Sequence, residues 1–523
     1  AGGQPPPNCG TVDNSPTPFT GGTGYAGVPY LISTSSHLAA ITGDYLDCSF
    51  RQAANISLSA EWVPIGSPAD LFRGIYDGAG FTIDGLRITS GHYVGLFGAT
   101  ERARLENIIL TNVSVTGEHY VGGLVGSAQG TSITKITISG AVAGALRVGG
   151  VAGDAVAFET TRSSVNHVTS TVAITAVETP RFSQFGGVAG FLSESDISMV
   201  STTGAVTGSF DVGGVVGLAH GGSTVTYSLS GGTVSGQNNV GGLIGSSYQS
   251  RVADSYAIGS VTATDVDAVV GGVVGYVEGV VPPPPPGVLE ATADIERTYS
   301  RGAVSGGSYA GGLLGYLNPN GSILASHWNQ TVNPARTGIG LNESSVTVTD
   351  PPGSTLTDLQ TTATYSGWTI VDGWSAFAPP TAIWGICDDT PYLLWEFTES
   401  PCVVTWNVDG FFPPIRMNGH VNSIPGKLPV PLIWRIRTST GDPVSDPASF
   451  TALTISPVSC VNPKFPVATR SGLTTFPQRP WYVGRGFWVL LWVPPKASAG
   501  SCVSASVALN DGSSLQALFR YKH

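Results

Sequence analysis

Between residues 94 and 315 the chain repeats one pattern of aliphatic and small positions. A block of the form aliphatic-Gly-Gly-aliphatic-x-Gly stands at Val121–Gly126, Val148–Gly153, Phe185–Gly190, Val212–Gly217, Val240–Gly245, Val270–Gly275 and Ala310–Gly315. Val94-Gly-Leu-Phe-Gly98 is a first copy, short of one glycine. With the glycine before Leu or Val as a marker, copies fall at 95, 123, 150, 187, 214, 242, 272 and 312. The intervals are 28, 27, 37, 27, 28, 30 and 40 residues, so the basic period is 27–28 and two copies are lengthened by about ten. A second block keeps the same phase: Gly140-Ala-Val-Ala-Gly144, Gly204-Ala-Val-Thr-Gly208, Gly232-Thr-Val-Ser-Gly236, Gly259-Ser-Val-Thr-Ala263 and Gly302-Ala-Val-Ser-Gly306.

Each period offers three short runs of Val, Ile, Ala and Thr separated by Gly, Ser or Asn turns. A single three-strand coil cannot bury its apolar face. Stacked at a rise of ~4.8 Å, such coils form continuous parallel sheets around an aliphatic core. The pattern therefore predicts an all-β chain whose body is a parallel β-solenoid, with about 27 residues and three short strands per coil. Eight or nine coils would give a rod on the order of 40 Å long. Val94, Val121, Val148, Phe185, Val212, Val240, Val270 and Ala310 are expected to form one inward-facing ladder. The glycines are expected to permit tight corners and positive φ. The first long coil should loop out around Ala155–Arg162 or Val177–Gln184, and the second carries Val281-Pro-Pro-Pro-Pro-Pro-Gly287, expected as an exposed polyproline-II loop.

Composition narrows the function classes. Only 11% of residues are charged, with 70 Gly, 36 Pro and 2 Met. That balance disfavours long surface helices and suits strands joined by small-residue turns. The net charge of −11, with no run of Lys or Arg, excludes the basic stripe that a nucleic-acid binder needs and disfavours anionic membranes. The most apolar stretch, Ala268–Val281, is broken by Gly271, Gly272 and Gly275 and is too short to span a bilayer, so no transmembrane segment is expected. A start at Ala1 without Met is what a secreted product looks like after signal-peptide removal. The six cysteines fit export to an oxidising compartment. They allow fifteen connectivities; nearest-neighbour pairing of Cys9 with Cys48, Cys387 with Cys402 and Cys460 with Cys502 keeps each bridge within one segment. Each bridge would contribute roughly 3–4 kcal/mol on the loop-entropy account. No CxxC pair exists, and no metal or cofactor is expected.

A catalytic face on a solenoid needs carboxylates in register on adjacent coils. Glu118 and Asp267 share an offset from the marker glycine but stand several coils apart. Glu159 and Asp196 each lie nine residues after adjacent markers and form the best candidate pair, although the long coil disturbs their register; solvated turn acids are the plainer expectation. His92-Tyr93 and His119-Tyr120 are 27 apart and should stack, as a corner support or as a step for a sugar ring. Asp77-Gly78 and Asp84-Gly85 read as turns. Asn55, Asn112, Asn329 and Asn342 head glycosylation sequons, which matter only in a glycosylating host. Trp481, Trp488 and Trp492 are expected to fill a C-terminal core.

The repeat resembles the GLUG repeat of bacterial adhesins and other exported proteins, through Gly95-Leu-Phe-Gly98, Gly123-Leu-Val-Gly126, Gly242-Leu-Ile-Gly245 and Gly312-Leu-Leu-Gly315. Pro29-Tyr-Leu-Ile32, His37-Leu-Ala-Ala-Ile41, Trp62-Val-Pro-Ile-Gly66 and Tyr76–Ile83 are similar to the usual lead-in to such arrays. Trp368, Trp374, Trp384 and Pro391-Tyr-Leu-Leu-Trp395 are similar to the usual exit. After Cys402, the segments Phe411–Ile415, Gly426–Trp434, Gly441–Val444 and Trp488–Val493 resemble the PxKF module of exported bacterial proteins, although its Pro-x-Lys-Phe core reads Pro429-Val-Pro-Leu-Ile-Trp434 here. That likeness implies an immunoglobulin-like β-sandwich with a Cys460–Cys502 bridge and no catalysis.

The layout expected is a Pro/Gly-rich arm over 1–27, a solenoid over 28–398 and a sandwich over 399–523. The Trp-rich stretch 366–395 is expected to cap one end of the solenoid, and the arm to cap the other or to reach into a neighbouring subunit. The expected function is a secreted, non-enzymatic structural protein or adhesin of the cell surface that self-associates or contacts a surface or glycan. A polysaccharide lyase or hydrolase, or a glycan-binding module, is the alternative.

Overall fold

The aliphatic block of each coil sits directly on the block of the coil before it. The computed structural model describes residues 9, 17–178, 180, 182–279, 294–344, 352–372, 383–386, 390–397, 406–417, 419–425, 428–437, 441, 443–445, 447–460, 474–476, 479–494, 500–509 and 513–522. Two units are distinct, Ala1–Glu399 and Ser400–His523. The first is a parallel β-solenoid of about ten turns. Its three sheets run along the stack. A seven-stranded sheet holds the Val-Gly step of each block, a nine-stranded sheet holds the five residues that follow, and a long sheet of 22 segments completes each turn.

The marker ladder runs Val94–Val121–Val148–Phe185–Val212–Val240–Val270–Ala310, residue opposite residue. All eight are buried. The turn count exceeds the eight or nine expected because the lead-in, which lacks the glycine block, is itself wound. Tyr30–Ile32, Ser49–Gln52 and Ile75–Asp77 are successive rungs ahead of Arg104–Thr116.

The glycines of the first block serve proximity, while the expected positive φ is found at Gly130 and Gly221 in corners and at Gly140 and Gly306 in the second block. A Cβ on Gly150, Gly187, Gly214, Gly242 or Gly272 would stand 2.1–2.3 Å from the carbonyl oxygen of the next coil's marker glycine. In the second block, a Cβ on Gly232, Gly259 or Gly302 would stand 1.8–2.0 Å from the preceding coil's glycine carbonyl. Only a missing side chain lets the coils close to rung distance at these points. Among the positive-φ positions one column recurs coil after coil in the long sheet: Asn107, Lys135, His167, Met199, Tyr227, Asp254, Arg297 and Ala325, at φ 46–56°. These eight are stacked one per coil and bend the long strand. A left-handed residue with a Cβ costs roughly 1–2 kcal/mol, so the bend is maintained against a recurring local penalty.

The 37-residue interval lengthens both suspected corners. Three positions separate Gln129 from Ser132, against eight between their partners Val156 and Ser164. Four separate Gly144 from Val148, against nine between Ala176 and Phe185. The first excursion is closed by paired backbone hydrogen bonds between Phe158 and Thr161 (2.8 and 2.9 Å). The five-proline run lies outside the described residues.

At the N-terminal end, Cys9 and Cys48 are disulfide-bonded. Phe19 packs on Tyr30, Tyr45 and Phe50. Leu31 N–H donates to Gly21 O (3.0 Å), so the described part of the arm covers the first rung. The described residues of the Trp-rich stretch do not cap the opposite end. They lie along the side of the stack, because the last coils present aromatic rings outward there. Cys387, Cys402 and Trp374 lie outside the described residues.

The second unit packs a four-stranded sheet (407–409, 430–437, 487–492, 481–484) against a five-stranded one (421–424, 514–521, 502–509, 450–458, 474–476). Cys460 and Cys502 are disulfide-bonded. Trp434, Trp488, Trp492 and Phe519 fill the space between the sheets. Trp481 does not join them and is 51% exposed. The reason is parity: it pairs with Val489, which alternates with the inward Trp488 and Leu490.

Candidate functional site

The left-handed column gives the long sheet a concave outer face. Two residues after each bend, one side chain points out of the sheet. The resulting outward column is Ile109, Thr137, Thr169, Ser201, Leu229, Tyr256, Tyr299 and His327, in register from coil to coil. Along this face runs a groove, and its two halves are in different states.

From Ser201 onward the groove is filled by a strap of the chain's own residues, described over 356–372, 383–386 and 390–397. Tyr256 and Tyr299 stack at 4.9 Å and 6°. Trp384 lies over both, at 5.8 and 6.1 Å, with Trp368 beside it at 4.6 Å. Three indole N–H groups each donate to one residue of the left-handed column. Trp395 donates to Tyr227 O (2.9 Å), Trp384 to Asp254 Oδ1 (3.3 Å) and Trp368 to Ala325 O (2.9 Å). The short turn Leu394–Glu396 lies against Asp196–Thr202 and ends the strap.

The strap buries two titratable groups. Glu396 accepts from Tyr256 Oη (2.9 and 3.0 Å) and from Leu393 N–H (2.8 Å). Burial nevertheless pushes its carboxyl up to about 7. His327 lies under Tyr365 and Trp368, and burial pushes its imidazole down to about 4.

The other half is open. It forms a cavity of about 610 Å³ along Asn107, Lys135 and His167 and the outward Ile109, Thr137 and Thr169. Arg51 and Asp77 close its far end, 3.7 Å apart. Asp77 also accepts from Asn107 Nδ2 and Ala79 N–H, both at 2.8 Å, so it is a turn and rung residue as its Asp-Gly context suggests. Asp84 plays the same part, accepting from Thr111 (2.6 Å) and Asn112 (2.7 Å). Lys135 is exposed and makes no ion pair among the described residues. At the meeting of the two halves, the rings of His167 and Trp395 lie 6.5 Å apart.

The acids singled out from spacing do not converge. Glu159 sits in the extra hairpin and pairs with Arg102. Asp196 begins a strand opposite Ser164, where Arg162 grips it with two bonds of 2.7 Å and Thr224 donates a third at 2.7 Å. Insertion residues therefore separate the pair that equal offsets suggested. Glu118 pairs with His92 at 3.3 Å, far along the stack from Asp267. Tyr93 and Tyr120 stack at 4.3 Å and 7°, and His92 meets His119 at 4.8 Å. Arg147 continues the column over Tyr120 and Phe191 and binds the buried Asp154 at 2.7 Å, so these rings belong to a closed ladder. Of the sequon residues, Asn329 is buried within a rung, donating to Arg301 O. Among the described residues no cluster of His, Cys, Asp and Glu could hold a metal ion, and no helix is long and apolar enough to cross a membrane.

Sequence reasoning missed the groove and Lys135 within it. The available signal was the outward column, which changes from Thr and Ser to Leu and Tyr 14 or 15 residues after the glycine marker in all but the two lengthened coils.

Residues 236–262, one full coil, match the GLUG motif family. A stretch of 116 residues is 37% identical to a "Putative Gly-rich membrane protein" of Evansella cellulosilytica, a match covering 20% of this chain and 13% of that protein. No solved structure matches the chain. The matched coil is the one that Gly242-Leu-Ile-Gly245 anchors, and its rung spacing is shared by its neighbours, so the β-solenoid carries a GLUG repeat in register with its other coils.

Proposed function

We propose that this chain is a non-enzymatic structural protein of the bacterial cell surface with an adhesive role. The observation that carries the reading is the continuous coil-on-coil strand pairing from Tyr30 to Ser354, sealed by glycine columns that no side chain can enter. Such a stack is a stiff stalk: every coil is held by both neighbours, and outward positions are free to vary. Two disulfides fit an oxidising environment outside the cytoplasm. The dispersed, arginine-neutralised acids give the enzyme alternative little support. A relative named as a membrane protein fits placement at an envelope. The sandwich is assigned as an immunoglobulin-like PxKF-type module.

Two measurements test this. Protease applied to intact producing cells should cleave the chain while cytoplasmic markers survive; full protection sinks the surface assignment. A panel of glycans incubated with the purified chain should release no new reducing ends or unsaturated products. Turnover of any one of them restores the lyase or hydrolase reading. Fibre formation is the further expectation, and mass measurement of untreated material finding monomers alone would count against it.

A further inference from the structure

We propose that the open half of the groove binds an extended acidic polysaccharide, with Lys135 contacting its anionic groups. This deepens the adhesive reading above and rests on it.

Lys135 is the sole lysine among residues 1–399 of a chain with net charge −11. It stands mid-groove on the strained left-handed column, exposed and unpaired among the described residues. The arginines of the surrounding coils are, by contrast, each committed to an acid: Arg102 to Glu159, Arg104 to Glu106, Arg147 to Asp154 and Arg162 to Asp196. An uncompensated cation on a shallow, open face attracts anions, most strongly at low salt. Around it, Asn107, Thr137 and Thr169 supply donors and acceptors of the kind that pair with sugar hydroxyls.

The occupant's chemistry follows from what the groove lacks. Strand backbones cross it sideways and spend their N–H and C=O groups on the rungs above and below, so no free edge is offered for strand addition. Its outward column has Ile109, Thr137 and Thr169 where the filled half has Leu229, Tyr256 and Tyr299, so it has few apolar anchors for a peptide. The repeat along the groove is one coil, ~4.8 Å, close to the advance of one sugar ring in an extended glycan. Successive residues of such a polymer meet equivalent positions on successive coils.

The full chain is tested against polygalacturonate, dextran sulfate, neutral dextran and polyglutamate, in low salt, with Lys135→Gln, Lys135→Arg and Arg87→Gln beside the native protein. The expected result is binding to polygalacturonate, dextran sulfate or both, weakened at least tenfold by Lys135→Gln, retained by Lys135→Arg and unchanged by Arg87→Gln, which lies outside the groove. Which of the two anionic polymers binds tells a carboxylated ligand from a sulfated one. Equal binding by the native chain and Lys135→Gln, binding of polyglutamate alone, or binding of no anionic polysaccharide overturns the assignment. The surface assignment is decided separately by protease access on cells, so failure of one is distinguishable from failure of the other.

Discussion

The filled and open halves of the groove share one backbone. Both bend at a left-handed residue with φ between 46° and 56°, and both keep parallel register coil after coil. They differ in the side chain two residues further on. In the filled half Leu229, Tyr256, Tyr299 and His327 are at most 8% exposed, whereas Thr137 and Thr169 in the open half face solvent. A stacked pair of tyrosines makes a floor on which indole rings gain dispersion and shed water; a row of threonines makes none. In a solenoid the inward residues are held to the period, while the outward ones are free to change coil by coil, and here that freedom decides which coils carry the strap.

The largest expected effect falls on the strap's centre. Trp384 is fully buried against Tyr256, Tyr299 and Trp368. Trp384→Ala should cost ~3–5 kcal/mol of strap docking. Hydrogen exchange read peptide by peptide should then show 356–372, 390–397 and the Tyr256 coil losing protection, with Arg104–Ala176 unchanged. Equal loss in both regions would mean that the strap is no separate layer and that the comparison is misdrawn.

The shared backbone predicts shared sensitivity to glycine replacement. Gly150→Ala in the open coils and Gly242→Ala in the filled coils each push a Cβ to 2.2 or 2.1 Å from a carbonyl oxygen. Each should cost ~2–3 kcal/mol. Gly231, whose Cβ would meet nothing nearer than 3.6 Å, should tolerate alanine or gain a few tenths of a kcal/mol, roughly, from the stiffer unfolded chain. Denaturation midpoints of the three variants check this, and a tolerant Gly242 would break the claim of one backbone.

These glycines also mark how far the sequence could be read. The 27-residue phase located the ladder and the wound body because inward positions must repeat for a core to be continuous. Glycine's role was legible only in part, because composition cannot separate a residue kept for φ, such as Gly130 or Gly221, from one kept for lack of a Cβ, such as Gly150 or Gly242. The lead-in coils lacked the glycine block and went uncounted for the same reason. The side placement of the tryptophans was hidden because outward residues carry no period of their own. It is fixed by contacts such as Trp395 with Tyr227, 168 residues apart in sequence. Lys135 looked like one polar residue among many until the bend put it in a concavity.

Acidity should act on the filled half through two opposed groups. Glu396 titrates at about 7 when docked, against an ordinary 4.5, so the docked form holds a proton that the released form gives up. Its contribution to docking therefore grows as pH falls from about 7 towards 4.5 and is absent above 7. His327 titrates at about 4 when docked, against 6.5, so the released form takes up a proton first. Its contribution is lost as pH falls from 6.5 to about 4. Each amounts to roughly 3–4 kcal/mol at full span, and between 4.5 and 6.5 their pH dependences nearly cancel. Strap protection in the native chain should be flat there. Glu396→Gln should make protection rise with pH across that window, and His327→Gln should make it fall. Parallel slopes in the two variants would remove both groups from the strap's energetics.

The smallest effect offers the finest discrimination. Leu229 and Thr169 occupy the same outward column two coils apart, one 5% exposed under the strap and the other open to water. Leu229→Thr removes buried apolar surface and leaves a hydroxyl beneath an aromatic layer, so it should cost ~1–2 kcal/mol. Thr169→Leu adds a methyl-bearing side chain to an exposed position and should stay within about 0.5 kcal/mol of the native chain. If outward side chains alone determine how far the strap extends, Thr169→Leu should also raise protection of Leu394–Glu396, the turn nearest that coil. A double-mutant comparison with Trp395→Ala reads this directly, because the gain must vanish when the indole that faces His167 is gone. Thr169→Leu with no change at the turn would mean that the strap's own length, not the floor beneath it, fixes the boundary.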